Sequence, residues 1–276
     1  MRYRTVLALG IALMVVASGC APPVAASRTL CATLRPLELL IRAIAGPSLE
    51  VRLIGQVTAA GSSEPRSDAA MLLEGSAMLF TSGTAMDSWA SGALTSGVRA
   101  TQLSTAIEDP SAEGSWLSFR NAADMAGLVR DTLGQLYPAD RDDFNDRYAA
   151  FVSQCSGIDG TLKSSFWRAD ARAFLAADML WGEAAKDYGL RIAVEPSLGQ
   201  RLLSVPEEAE YVRARGIQEG TATVVLAAQG GSLPGIQELT VGLTVCTLEP
   251  LGSAADRDYV TWLERQLTLL HQSLGS

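Results

Sequence analysis

Chemistry at neutral pH needs a nucleophile with its base, or a set of metal donors, and this chain offers few arrangements of either. Its one histidine, His271, lies near the end of the chain within an apolar-striped segment, where a surface or helix-terminal role is the ordinary reading. There is no GxSxG elbow and no GxxxxGK loop, so neither a serine hydrolase nor a P-loop nucleotide site has support. Catalysis by carboxylates alone remains open, but no pair is marked by spacing, and the chain does not read as an enzyme. The carboxylate that stands out is Asp178 in FLAADMLWGEAAKDYGL, where an apolar strand runs into a helix. It reads either as a helix cap, satisfying free backbone N–H groups, or as a ligand at a strand end.

The remaining donors are sulfur and acid. Cys20, Cys31, Cys155 and Cys246 form no CxxC pair and stand at no metal-ligand spacing. Cys20 closes MRYRTVLALGIALMVVASGC, in which Arg2 and Arg4 precede an apolar run and small residues lead to the cysteine. That run is too short for a membrane-spanning helix, and it reads as a secretory signal over 1–19 with Cys20 lipidated and a Pro/Ala/Ser tether over 20–28. Of the other three cysteines, an oxidising compartment permits one disulfide and one free thiol, while their apolar surroundings favour three buried thiols. The formal net charge is −8, which makes nucleic acid an unexpected partner, since phosphate contacts need a basic face.

The elements that must position such residues alternate. RTLCATLRP reads as a strand, PLELLIRAIAG as a helix closed by Gly46, and SLEVRLIG as a second strand; SDAAMLLEGSAMLFTSG repeats the rhythm. Between Tyr137 and Lys163 the pattern changes: Phe144, Tyr148, Phe151, Cys155, Ile158 and Leu162 recur at steps of four and three, which predicts one long amphipathic helix. Strand and helix alternation then resumes, ending in a helix with Tyr259, Leu263, Leu267, Leu270 and Leu274 on its core face. The expected fold is α/β: an N-terminal lobe over 29–137 and a C-terminal lobe over 167–276, each with a parallel-type sheet, joined by one linking helix over 138–166.

Several segments resemble, in order, the metal-type substrate-binding proteins of zinc and manganese ABC transporters. LRPLELLIRAIAG and LEVRLI resemble that family's opening, GSSEPRSD its GxxPHxYEPxPSD loop, EGSWLSFRNAADMA its DPHxWLDPxNA segment and WGEAAKDYGL its GYFAxxYGL helix end. EPS at Glu195 and TLEPLG at Thr247 resemble two further motifs. The family presents three histidines and one carboxylate to a metal between the lobes. Here the resemblance puts the first histidine position on Gly61, the second on Gly114, the third on Asp178 and the carboxylate on Glu249.

All three histidines are therefore absent, and a zinc shell of imidazole and thiolate donors cannot be assembled. Glu64 and Glu113 lie close in sequence to the vacated positions, and a carboxylate cluster with Asp178 and Glu249 would suit a harder cation. Mn, Ca or Zn is the cation class left open, with Asp178 and Glu249 as candidate ligands. Trp116 and Trp181 belong either to lobe core or to an apolar cleft wall. The resemblance implies capture and delivery of a solute to an ABC permease from a lipid-anchored position outside the membrane. The alternative is a degenerate lobe pair serving as a structural or interaction module at the cell surface.

Overall fold

The computed structural model describes residues 27–58, 61–93, 98–176, 180–193, 206–218, 220–227 and 239–275; Cys20, Asp178 and Glu195 lie outside them. The first sheet is built from β1 (Thr29–Ala32), followed by α1 (Arg35–Ala45), β2 (Glu50–Leu53), the hairpin β3 (Gly55–Val57) and β4 (Ser63–Pro65), α2 (Ala69–Leu73), β5 (Met78–Thr81), α3 (Ala90–Ala93) and β6 (Ala100–Gln102). Its strands run parallel in the order β2-β1-β5-β6. Leu30 faces Val51 on one side and Met78 on the other, so the short apolar runs are covered on both faces, as parallel sheets require.

Two helices connect the halves. Ser118 caps α4 (Phe119–Leu136) by accepting the Asn121 N–H. Then α5 (Arg141–Arg168) runs for 28 residues, matching the long helix expected from the periodic stripe. Phe144, Phe151, Cys155 and Leu162 on that stripe are buried, and Tyr148 and Ile158 pack partly against the same core. Gly157 and Gly160 sit inside the helix without ending it, because packing of the stripe outweighs a cost of roughly 1 kcal/mol per glycine.

The second lobe repeats the plan with β7 (Ala173–Ala176), α6 (Gly182–Tyr188), β8 (Arg191–Ile192), α7 (Pro206–Gln218), β9 (Thr223–Ala227), β10 (Thr244–Leu248) and α8 (Tyr259–Leu274). Its parallel order is β10-β9-β7-β8. The two sheets thus share one topology. In each, the second and third strands are added on opposite sides of the first, which opens a crevice between the first and third strands at the carboxyl ends, where ligands of open α/β sheets bind. All five predicted residues of the terminal stripe, Tyr259 to Leu274, are buried. One hydrophobic cluster runs from Leu30 and Phe80 in the first lobe through Phe151 and Phe166 to Phe174, Trp262 and Leu267 in the second.

Candidate functional site

The site is built at the carboxyl ends of the strands, beginning with a buried polar network in the first lobe. Asp87 is 2% exposed and accepts the Thr33 hydroxyl together with the Ser82 N–H and Ser82 hydroxyl, both at 2.6 Å. The Thr84 hydroxyl lies 2.9 Å from that of Ser82 and donates to Glu113 Oε2 at 2.7 Å, and the Met86 N–H donates to Glu113 Oε1 at 3.1 Å. Both oxygens of Glu113 therefore hold the loop that carries Gly114 and Trp116. Glu64 is elsewhere, exposed on β4 and bonded by Gln56 Nε2 at 2.9 Å. Gly61 occupies the hairpin turn with φ +76° and open space beside it.

At Gly114 the lobes meet closely. Its φ is +70°, and a Cβ placed on it would stand 1.8 Å from the carbonyl oxygen of Leu180 in the second lobe. No side chain fits there while the lobes keep this approach, an imidazole included. The following residues stitch the same seam. Ser118 donates to Asp187, Asn121 Nδ2 donates to Glu183 Oε2 at 2.9 Å, and Arg120 pairs with Asp187 at 3.2 Å.

Trp116 is 0% exposed; its Nε1 donates to the Pro250 carbonyl at 2.8 Å, and its own carbonyl accepts the Tyr259 hydroxyl at 2.5 Å. Trp181 is equally buried, and its indole N–H has no hydrogen-bond partner among the described residues. Both tryptophans are core at the junction of the lobes. Trp181 also occupies the N-cap position of α6, which begins at Gly182. Asp178, read from the sequence as either a cap or a ligand, lies outside the described residues, and the chain passes Gly114 at Leu180 before the helix starts.

Glu249 follows β10. Its carboxylate lies 3.0 Å from Arg265, which also reaches Asp256 at 2.9 Å, and its backbone is held on both sides by Gln266 and Trp262. Among the described residues, no three His, Cys, Asp or Glu side chains stand together as a metal-binding group. Glu64, Glu113 and Glu249 are thus separated, each with its own partner. Cys31, Cys155 and Cys246 are free and buried. Burial pushes all three thiols up, that of Cys155 to about 12, so they are poor nucleophiles near neutral pH.

One feature of the cleft was missed in the sequence. A cavity of about 480 Å³ opens between the lobes, bounded by Thr33 to Arg35 after β1, by the base of the hairpin and by Leu251 to Arg257 after β10. Arg35, Arg42, Arg66 and Arg257 line it, with Glu38 as the sole lining carboxylate. These arginines are scattered along the sequence, and only the topology gathers them.

The family model described as zinc-uptake complex component A, periplasmic (ZnuA), matches residues 30–273. The chain belongs to the ZnuA family. The zinc-binding lipoprotein AdcA of Streptococcus pneumoniae is 24% identical over 172 residues, which cover 57% of this chain and 33% of AdcA. The zinc-binding protein AdcA of Streptococcus pyogenes is 23% identical over 167 residues, 56% of this chain and 32% of that protein. The chain thus spans about a third of the length of these curated relatives. Among solved structures, the laminin-binding protein Lmb of Streptococcus agalactiae superposes with a TM-score of 0.77 at 17% identity, covering 89% of this chain and 99% of Lmb. A Mn-bound periplasmic metal-binding protein of Candidatus Liberibacter asiaticus gives 0.76 at 14% identity, with 89% and 99% covered. At these identities the likeness establishes the fold.

Proposed function

We propose that this ZnuA-family chain is the extracytoplasmic solute-binding lipoprotein of an ABC transporter. It is exported by residues 1–19, anchored through lipidated Cys20, and hands its solute to a permease without converting it. The relatives named as zinc-binding or Mn-bound share its fold, but their cargo does not pass to it with the fold. The family match over residues 30–273 carries this reading, and Gly114 limits the cargo: a position that the resemblance assigns to a metal-binding histidine has no room for one beside the Leu180 carbonyl. Histidine-based zinc binding does not fit these residues. A divalent cation would rely on oxygen donors, Asp178 and Glu249, which suits Mn or Ca before Zn, and Glu249 would first have to release Arg265.

The seam itself favours a second reading. Gly114 against Leu180, Trp116 against Pro250, and Ser118 and Asn121 against α6 hold the lobes together, as suits an interaction module that binds no small solute. Cross-linking in intact cells, followed by recovery of the tagged full chain, separates the two. Recovery of an ABC permease and its ATPase is the expected result. A surface protein in their place, with no stabilisation of the chain by any metal or small solute, supports the module and ends the receptor reading.

A further inference from the structure

The interlobe cavity carries a charge opposite to that of the molecule. The chain is acidic at −8, yet four guanidiniums and one carboxylate line this space. Arg35 and Arg42 share that carboxylate, Glu38, at 2.5 Å and 2.6 Å. Among the described residues, Arg257 has no carboxylate partner and reaches the carbonyls of Ala254 and Asp256. Arg66 pairs with Asp68, half-exposed on the hairpin side. The Asp256 carboxylate, in the loop of the opposite wall, is taken up by Ser253 and Arg265. The lining therefore keeps an excess of positive charge that its own acids do not neutralise.

A further observation points to an anion. Arg35 is fixed at the cavity wall, its terminal nitrogens bonded to Glu38 and to the Asp256 carbonyl, so its charge is held beside the space. The cavity also lies over the first turn of α1, which no side chain caps, so the positive end of an 11-residue helix faces the same space. The cavity volume falls within the roughly 300–1,000 Å³ of small-molecule sites, and it opens beyond the carboxyl ends of β1 and β2.

We propose that this cavity binds a small anionic solute through a carboxylate or phosphate group, with Arg257 and Arg66 clamping it from the two lobes and the charge of Arg35 beside it. Of the positions matching the family's metal ligands, the three described ones, Gly61, Gly114 and Glu249, do not line it. The proposal deepens the receptor reading by naming a cargo class, and its cargo role rests on that reading.

The test titrates the full-length chain in detergent with inorganic phosphate and with citrate, at constant ionic strength set by sodium chloride, and follows thermal stability. At least one anion is expected to raise the midpoint as RT ln(1 + [L]/Kd) requires, and which one does so identifies the group. Arg257→Ala and Arg66→Gln should each weaken binding at least tenfold, and Arg130→Gln, outside the cavity on α4, should not. No stabilisation by either anion beyond the chloride control overturns the site, as does binding unchanged in both cavity variants. If both anions fail while another solute stabilises the chain, the anion site falls and the receptor stands. If an anion binds but no permease is recovered, the site stands and the receptor reading falls.

Discussion

Gly114 shows how much one position decides. A left-handed φ alone costs a residue with a Cβ about 1–3 kcal/mol, and here the added carbon also meets a backbone carbonyl that cannot rotate away. Gly114→Ala is therefore expected to lower stability by more than that strain alone, read as a drop in the urea or thermal midpoint. An unchanged midpoint would mean that Leu180 does not sit over Gly114 in solution. Cys155 makes a second prediction at the same scale. Its thiol is raised from about 9.0 to about 12 by burial, so between those values the unfolded chain ionises while the folded one stays protonated. Its contribution is complete below pH 9 and is lost as pH rises through that window, at up to about 1.4 kcal/mol per pH unit. Cys155→Ala should flatten the alkaline fall of stability, measured by denaturant titration at several pH values; an equal slope in the variant would contradict the assignment.

Among elements, the terminal helix α8 and the loop before α4 are joined by one bond with a clear cost. Tyr259 is fully buried and donates to the Trp116 carbonyl. Tyr259→Phe leaves that carbonyl short of a donor in a dry seam, so a loss of about 1–3 kcal/mol is expected; a neutral substitution would show that the seam admits water. The periodic elements were legible in sequence because burial writes its period into the chain: the stripes of α5 and α8 and the apolar runs of β1, β5 and β7 all appear where the residues predicted them. The site was legible only in part. The positions of Gly61, Gly114 and Glu249 followed from order along the chain, but Glu113 binding Thr84 and Met86, and Glu249 binding Arg265, depend on contacts between distant segments. The same is true of Arg35, Arg66 and Arg257. Nothing local distinguishes an arginine that faces a cavity from one that faces solvent.

For the molecule as a whole, two sheets of one topology share a continuous core through α5, and the lobes touch through backbone at the position where relatives of the ZnuA family are expected to place a metal ligand. The interlobe cavity is lined by arginine beside dispersed carboxylates. On the proposed reading, the receptor fold is kept without imidazole-based metal capture. Isothermal titration of the full chain with zinc at neutral pH tests this most directly. No stoichiometric binding in the submicromolar range is the predicted result, and tight binding of one zinc ion per chain would contradict it.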